Sequence, residues 1–420
     1  MTTVEYLTVA EALEKVLAAV DVLPAETVPL PEALGRILAE PVTAQDSLPP
    51  FANSSMDGYA LQAADLEGAT AEQPTSLKVI GEVAAGSVFE GILTSGTAVR
   101  IMTGAPLPNG ADAVIPVEDT DEAWRDPERP LPEQVGVKRA VKAGDYVRQV
   151  GEDIQAGDEV LAPGHRLRPQ EIGVLASLGV SELSVIRRPR VGILATGDEL
   201  IGVDEPLRPG KIRNSNGYTQ AAQVAAVGAI PVSLGIGRDT EEDMRAKLQA
   251  GLEAGVDLFI SSAGVSVGVY DVVTAVLQQE GAVNFWRVRM RPGKPLAFGT
   301  YKEVPYIGLP GNPVSAMVSF ERFARAAILK MSGSGQLHRP ELTVTMLDDI
   351  SSDGRESYIR AIVGRDGDLY TASTTGDQGS HIMTSLVKAN ALVIVPEGIK
   401  EVKAGTQLAA LMIDWPETIF

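Results

Sequence analysis

Val191-Gly192-Ile193-Leu194-Ala195-Thr196-Gly197-Asp198-Glu199 is an apolar run that stops on a polar, glycine-bearing loop, and the residues after it repeat the pattern. Residues 217–227 read as a helix closed by Gly228, and 230–234 as the next strand. Asp239 and Glu242 bracket the first turn of a further helix, with Asp239 where an N-cap belongs, and that helix runs to about residue 254. Residues 256–260 return as a strand into a glycine and serine loop. A strand over 306–309, the turn Pro310-Gly311-Asn312-Pro313 and a long helix over 314–330 complete the series. Strands alternating with helices predict a parallel sheet covered on both faces. Ligands of such sheets bind outside the carboxyl ends of the strands, so the loops 196–199, 261–271 and 310–313 are expected to meet at one crevice.

Outward from this unit the texture changes. Leu13, Val16, Leu17 and Val20 mark an N-terminal helix, preceded by the capping-box pair Thr8 and Glu11. From 44 to about 146, short β-branched runs at 77–83, 97–102 and 113–117 are broken by glycine and proline, which predicts a β-rich unit. Short strands over 136–163 and a helix over 169–178 suggest that the chain then returns to its first unit. Residues 331–336 have linker composition, and candidate strands at 342–346, 358–363, 369–371 and 391–395, with a short helix at 384–388, follow. The expected fold is therefore multidomain α/β plus β. A doubly wound parallel-sheet domain (186–331) carries a discontinuous N-terminal α/β domain (1–46 and 147–185), a β-rich insertion domain (47–146) and a small C-terminal β domain (338–420).

The composition excludes several kinds of chemistry. The chain of 420 residues contains no cysteine, which removes disulfides, thiolate metal sites and a cysteine nucleophile together. Its three histidines have no metal-ligand spacing, leaving a hard, oxygen-loving cation such as magnesium as the metal to consider. A net charge of −19 argues against a nucleic-acid surface. No apolar run approaches the ~20 residues of a membrane span, and the first residues lack the pattern of a secretory signal, so a cytoplasmic protein is expected.

Within the predicted crevice, Ser262, Gly264, Ser266 and Gly268 suit a phosphate cradle, because glycines admit close backbone approach and hydroxyls donate; an ordinary strand-to-helix turn would look the same. Asp198, Glu199, Asp239 and Asp271 are carboxylates expected along the same edge. Two such charges 4 Å apart repel by about 4 kcal/mol at an effective dielectric near 20, enough to recruit a cation or force protonation. Arg287, Arg289, Arg291 and Lys294 form a basic burst. On a strand over 283–290, Arg287 and Arg289 share a face and read as a solvated surface. Arg291 and Lys294 lie beyond it, in a Pro-Gly turn suited to gripping a small oxyanion.

Taken together, Asn53-Ser54-Ser55-Met56-Asp57-Gly58-Tyr59-Ala60, Arg100-Ile101-Met102-Thr103-Gly104-Ala105-Pro106, Gly151-Glu152-Asp153-Ile154, Thr196-Gly197-Asp198-Glu199-Leu200, Pro292-Gly293-Lys294-Pro295 and Leu309-Pro310-Gly311-Asn312-Pro313-Val314-Ser315 resemble, in order, the motifs of the molybdopterin molybdenumtransferase family, the MoeA proteins and the E domain of gephyrin. The resemblance covers nearly the whole chain. It implies insertion of molybdate into adenylylated molybdopterin with magnesium-dependent release of AMP. It also implies an elongated homodimer whose cleft is shared between the doubly wound domain of one subunit and the β-rich domain of the other.

Carried over residue by residue, the resemblance makes Asp239 and Asp271 magnesium ligands, with Glu199 nearby, and places Gly264 and Ser266 on the phosphate path. Lys294, Pro295, Ser315, Arg360 and Ser380 would hold molybdate. Asp57 and Thr103 would arrive from the partner subunit, and Asp153 counts with the catalytic residues. Asp198 and Ser262 are added as substrate contacts from their place on the edge, and Arg291 from its charge. The chain departs from the family pattern at Ala263, where glycine is usual, which leaves that loop's backbone path open, and at Ser55, which is harmless. Two other readings stay open: a molybdopterin adenylyltransferase, against which the extra domains argue, and a dimeric scaffold like the anchoring role of gephyrin's E domain. Molybdate and tungstate are too alike in shape for the sequence to separate.

Overall fold

The computed structural model describes residues 5–122, 130–262 and 272–415. At its centre is a seven-stranded sheet in the order Glu5–Leu7, Gly281–Val288, Pro295–Tyr301, Val304–Leu309, Leu258–Ser262, Arg190–Thr196, Ile230–Gly237. Every strand runs the same way except Pro295–Tyr301, which is antiparallel to both neighbours. The expected parallel sheet thus carries one reversed strand. That reversal matters for the site, because it returns the chain to the carboxyl edge at residues 288–295, beside the ends of the parallel strands.

Alternating side chains sort onto two cores, as they must in a sheet covered on both faces. Val191, Ile193, Leu258 and Ile260 pack with Val224, Phe320, Phe323 and Ile328 on one face. Leu194 and Phe259 pack with Met244, Leu248, Val276 and Leu277 on the other. The helix expected over 314–330 spans Pro313–Ser319, a π-helical turn Phe320–Ala324, and Arg325–Met331. Such turns, common beside functional sites, leave no mark in the apolar periodicity.

The first helix, Val9–Ala18, has the expected capping box between Thr8 and Glu11. Its position corrects the expectation that 1–46 is one piece. Leu7, Leu13, Val16 and Val20 are buried in the core of the seven-stranded sheet, and Glu5–Leu7 extends that sheet's edge. The strand Ala25–Pro29 instead pairs with Glu182–Ile186, and Val28, Leu38, Leu167, Leu175 and Val185 share a separate core.

Between those stretches lies a five-stranded sheet in the order Ala113–Pro116, Gly58–Leu61, Thr97–Ile101, Thr75–Val83, Gln134–Val137. Gly58–Leu61 was not among the strands named from the sequence, and Gln134–Val137 begins just ahead of the short strands expected over 136–163. A Cβ on Gly58 would stand 1.9 Å from the Ile115 carbonyl oxygen, so this glycine is dictated by strand pairing. The C-terminal unit contributes five strands of a six-stranded sheet, which closes when Ala391–Val395 pairs with Glu356–Asp366 as well as with Gln407–Met412. Met290–Arg291 joins it in parallel with Glu356 and Ser357, which fastens the central unit to the C-terminal one. Among the described residues no helix is long and apolar enough to cross a membrane.

Candidate functional site

Along the carboxyl edge of the central sheet, and facing the C-terminal unit, is a cleft of about 970 Å³. Its walls include Thr196, Glu199, Ser262, Arg291, Lys294, Pro295, Pro310, Ser315, Gly379 and Ser380. The expected convergence of 196–199 with 310–313 is therefore present, and Ser262 stands with them. Gly264, Ser266 and Asp271, with Ala263 and the rest of 263–271, lie outside the described residues.

Local chemistry explains the shape of each segment. The Thr196 hydroxyl donates to the Ser262 carbonyl at 3.2 Å, tying two strand ends together. Gly197 has φ of +139°, and any Cβ there would strike the Glu199 carboxylate, which folds back over it. Gly293 has φ of +110° and would meet the Ser319 hydroxyl, so the Pro-Gly turn that carries Lys294 is built on a position only glycine fits. The Val288 N–H donates to the Lys294 carbonyl at 2.8 Å and closes that turn. On the opposite side, Asn216 Nδ2 donates to the Gly311 carbonyl at 2.8 Å, and the Val314 N–H to the Ser380 carbonyl at 3.3 Å, joining 310–315 to both flanks.

Arg360 lies behind this wall. It is 1% exposed, and it donates through Nε to the Ser385 hydroxyl at 3.1 Å and through Nη2 to the Gly379 carbonyl at 3.1 Å. Burial lowers its pKa to about 10, against Asp377, which raises it, and with Arg291, which lowers it further. Arg360 and Arg291 share a small adjoining cavity of about 140 Å³ that also touches Pro292 and Gln378, residues of the main cleft. Arg360 thus supports the Gly379-Ser380 segment from beneath.

Of the expected carboxylates, Asp198 and Asp239 stand together among the described residues. Asp198 Oδ1 accepts from the Asp239 N–H at 3.4 Å, and the Asp198 carbonyl accepts from the Lys211 amine. Asp239 is not the N-cap: Thr240 caps the helix Glu241–Glu253, accepting from the Asp243 N–H at 3.3 Å. The Asp239 side chain is therefore exposed and free of that duty. Among the described residues no three acidic or histidine side chains form a metal-binding group.

Asp57, Thr103 and Asp153 do not line the cleft of their own chain. Asp57 and Thr103 meet each other in the β-rich unit. Asp153 borders a separate cavity of about 410 Å³ with Asp158 and Glu171.

Several cleft residues were not expected from the sequence. Arg213 and Asn214 enter from the segment before the helix Ser215–Ala226 and Asn216 from its first turn, Trp286 and Arg287 from the strand Gly281–Val288, and Arg355 and Gln378 from the C-terminal unit. The polar run Arg213-Asn214-Ser215-Asn216 ahead of a helix was the available signal. For Arg355 there was none. Among the described residues the lining brings Arg213, Arg287, Arg291, Lys294 and Arg355 against the single carboxylate Glu199, in a chain whose net charge is −19. Arg355 is satisfied by Asp353, whose carboxylate also feels the Arg291 charge, whereas Arg213, Arg287 and Lys294 form no ion pair among the described residues. The lining is strongly cationic, which suits an anionic ligand.

Comparison with known proteins gives a consistent picture. Three family models match: "MoeA N-terminal region (domain I and II)" over residues 7–179, "Probable molybdopterin binding domain" over 192–330, and "MoeA C-terminal region (domain IV)" over 343–413. The chain is 39% identical over 389 residues to molybdopterin molybdenumtransferase 2 of Mycobacterium tuberculosis, covering 91% of this chain and 93% of that protein. It is 38% identical over 397 residues to the molybdopterin molybdenumtransferase of a Nostoc species, covering 92% of this chain and 88% of that one. A crystal structure of the molybdopterin biosynthesis MoeA protein from Pyrococcus horikoshii OT3 superposes with a TM-score of 0.80 at 29% identity, covering 97% of this chain and 100% of that one.

Proposed function

The chain belongs to the molybdopterin molybdenumtransferase (MoeA) family, and from that premise we propose that it inserts molybdate into adenylylated molybdopterin, with release of AMP, to give the molybdenum cofactor. The observation that carries this reading is the cleft in which Arg291, Lys294, Ser315 and Ser380 converge from the central and C-terminal units. Two cations and two hydroxyls suit a tetrahedral oxyanion. Arg360, charged at neutral pH and buried beneath Gly379, holds the C-terminal half of that grip in register. The pterin's own sulfurs would become the metal's ligands, which suits a chain without cysteine.

Cleavage of the phosphoanhydride separates AMP from the pterin, which keeps its own phosphate, and water supplies the new oxygen. No protein nucleophile is needed. Magnesium would be held by Asp239 with Asp271 and by phosphate oxygens, and would neutralise charge developing on the leaving phosphate. The described part of the site fits this: Asp239 is exposed, is not used as a cap, and stands beside Asp198. One or two carboxylates plus phosphate is the usual magnesium environment, so no larger acidic cluster is required.

The separation of Asp57 and Thr103 from the cleft supports a homodimer in which the partner's β-rich unit closes the site. The adenylyltransferase reading is weaker, because relatives bearing the molybdenumtransferase name match through all the units of the chain. The test is reconstitution: purified protein with adenylylated molybdopterin, magnesium and molybdate, measuring AMP release and activation of a cofactor-free molybdoenzyme. Both are expected, each dependent on molybdate. Binding of the adenylylated pterin without release would replace the enzyme reading by a carrier or scaffold.

A further inference from the structure

One cleft cation has an arrangement that oxyanion binding at Lys294 does not use. Arg287 stands on the strand Gly281–Val288, directly across from Pro295 on one side and from Tyr6 on the other. Its Nη1 donates to the Tyr6 hydroxyl at 2.6 Å, and its guanidinium lies over the Tyr6 ring, 5.5 Å from the centroid. Tyr6 belongs to Glu5–Leu7, the short strand that the chain's beginning adds to the sheet edge. Two residues further on, Arg289 is paired with Glu397 at 3.2 Å, as a surface arginine on so acidic a chain should be. Arg287 has no carboxylate partner among the described residues.

The choice of partner has a consequence. A carboxylate would neutralise the guanidinium, whereas a tyrosine fixes its position through one hydrogen bond and a ring face and leaves its charge in place. A fixed, uncompensated guanidinium on the wall of a cleft is a site for a bidentate anion. We propose that Arg287 binds a phosphate oxygen of the cleft's ligand, a phosphate ester or diphosphate, and that Tyr6 is its positioning residue. That the anion is phosphate rests on the reading of the substrate above: the oxyanion is assigned to Lys294 and its neighbours, and the substrate's remaining anionic groups are its phosphates. The N-terminal strand thereby contributes to substrate binding without touching the substrate.

The experiment is calorimetric titration of inorganic pyrophosphate into the full-length protein and its Arg287→Gln, Arg287→Lys and Tyr6→Phe variants, alongside steady-state AMP release. Arg287→Gln is expected to weaken pyrophosphate binding about tenfold and to raise KM for the adenylylated pterin by a similar factor, with kcat within about twofold. Arg287→Lys should recover part of the loss, because charge remains while the fork is gone. Tyr6→Phe, which keeps the ring and loses the acceptor, should weaken binding about threefold, again in KM alone. Both side chains reach solvent, and unchanged melting temperatures would show the variants folded. Pyrophosphate binding that ignores Arg287→Gln, absence of pyrophosphate binding by the parent protein, or a loss confined to kcat would each overturn the proposal. If the parent protein releases no AMP, the functional reading fails on its own, and the pyrophosphate titration still decides Arg287.

Discussion

A single carboxylate oxygen, Oδ1 of Asp57, accepts both the backbone N–H of Thr103 at 2.7 Å and the Thr103 hydroxyl at 2.9 Å. The pair joins the turn before the strand Gly58–Leu61 to the turn after Thr97–Ile101, two neighbours in the β-rich sheet, and so fixes two of the chain's longest motifs against each other. The contact is exposed, and neither residue reaches the cleft of its own chain. If the cleft is completed by a partner subunit, an Asp57→Ala chain and a Lys294→Ala chain, each inactive alone, should complement when co-expressed. Random pairing makes half the dimers mixed, and each mixed dimer has one intact cleft, so about a quarter of parental AMP release is expected. No recovery would mean that Asp57 acts within its own chain or only in folding.

Thr240 is the helix cap, and Asp239 beside it is the residue proposed to hold magnesium. Since Thr240 accepts from the Asp243 N–H, Thr240→Ala should destabilise the protein by about 1 kcal/mol in urea unfolding. Asp239→Asn should leave the unfolding midpoint in place and raise the magnesium concentration needed for half-maximal AMP release by about tenfold. The reverse pattern, a melted Asp239 variant with normal magnesium dependence, would return Asp239 to a structural role.

These adjacent residues also show where the sequence could be read and where it could not. The alternation of strands and helices after residue 189, and the loops it brings to one edge, follow from apolar periodicity and breaker residues, which are local. A cap is local too, yet Asp239-Thr240 offers two capping residues in succession, and only backbone geometry selects between them. Arg287 was read as a solvated face because alternation on a strand says which side chains share a side, not whether that side meets solvent or a cleft. Arg291 and Lys294 were legible because a Pro-Gly turn limits where they can stand. The resemblance implies that Arg360 holds molybdate, but nothing local in the sequence shows where its side chain lies. Its burial under Gly379 depends on a barrel closed by residues 391–412, a contact of long sequence separation. The strand Gly58–Leu61 escaped notice because its glycine, required by the Ile115 carbonyl, is the residue that argues against a strand on propensity.

Glu171 gives a pH dependence. Its buried carboxylate accepts from the Arg168 guanidinium, from the Arg168 N–H at 2.8 Å and from His165 at 3.1 Å. The Arg168 side-chain hydrogen bonds lower its pKa from 4.5 to about 2, opposed by burial and aided by the Arg168 N–H and His165. A carboxylate depressed in the folded state stabilises fully above its unfolded pKa, and that contribution declines below 4.5 and is gone below about 2. Glu171→Gln should therefore lower the urea midpoint at pH 7, and the gap from the parent should narrow steadily between pH 4.5 and pH 3. A gap independent of pH would mean that packing, not ionisation, is what Glu171 contributes.

Arg360 and Lys294 should lose molybdate for different reasons. Lys294 sits on an exposed turn whose shape is held by Gly293 and by its own carbonyl, so Lys294→Ala should abolish molybdate retention in equilibrium dialysis and leave the melting temperature nearly unchanged. Arg360→Ala deletes a large buried side chain, strips the Gly379 carbonyl and the Ser385 hydroxyl of a donor, and opens a cavity under the segment that carries Ser380. It should cost about 2 to 4 kcal/mol in stability as well as molybdate retention. Arg360→Met fills much of the same volume without charge or donors. If it restores most of the stability while molybdate retention stays low, the guanidinium contributes to the oxyanion site through its charge and its hold on Gly379. If it restores both, Arg360 only fills space, and the grip on molybdate belongs to Arg291 and Lys294.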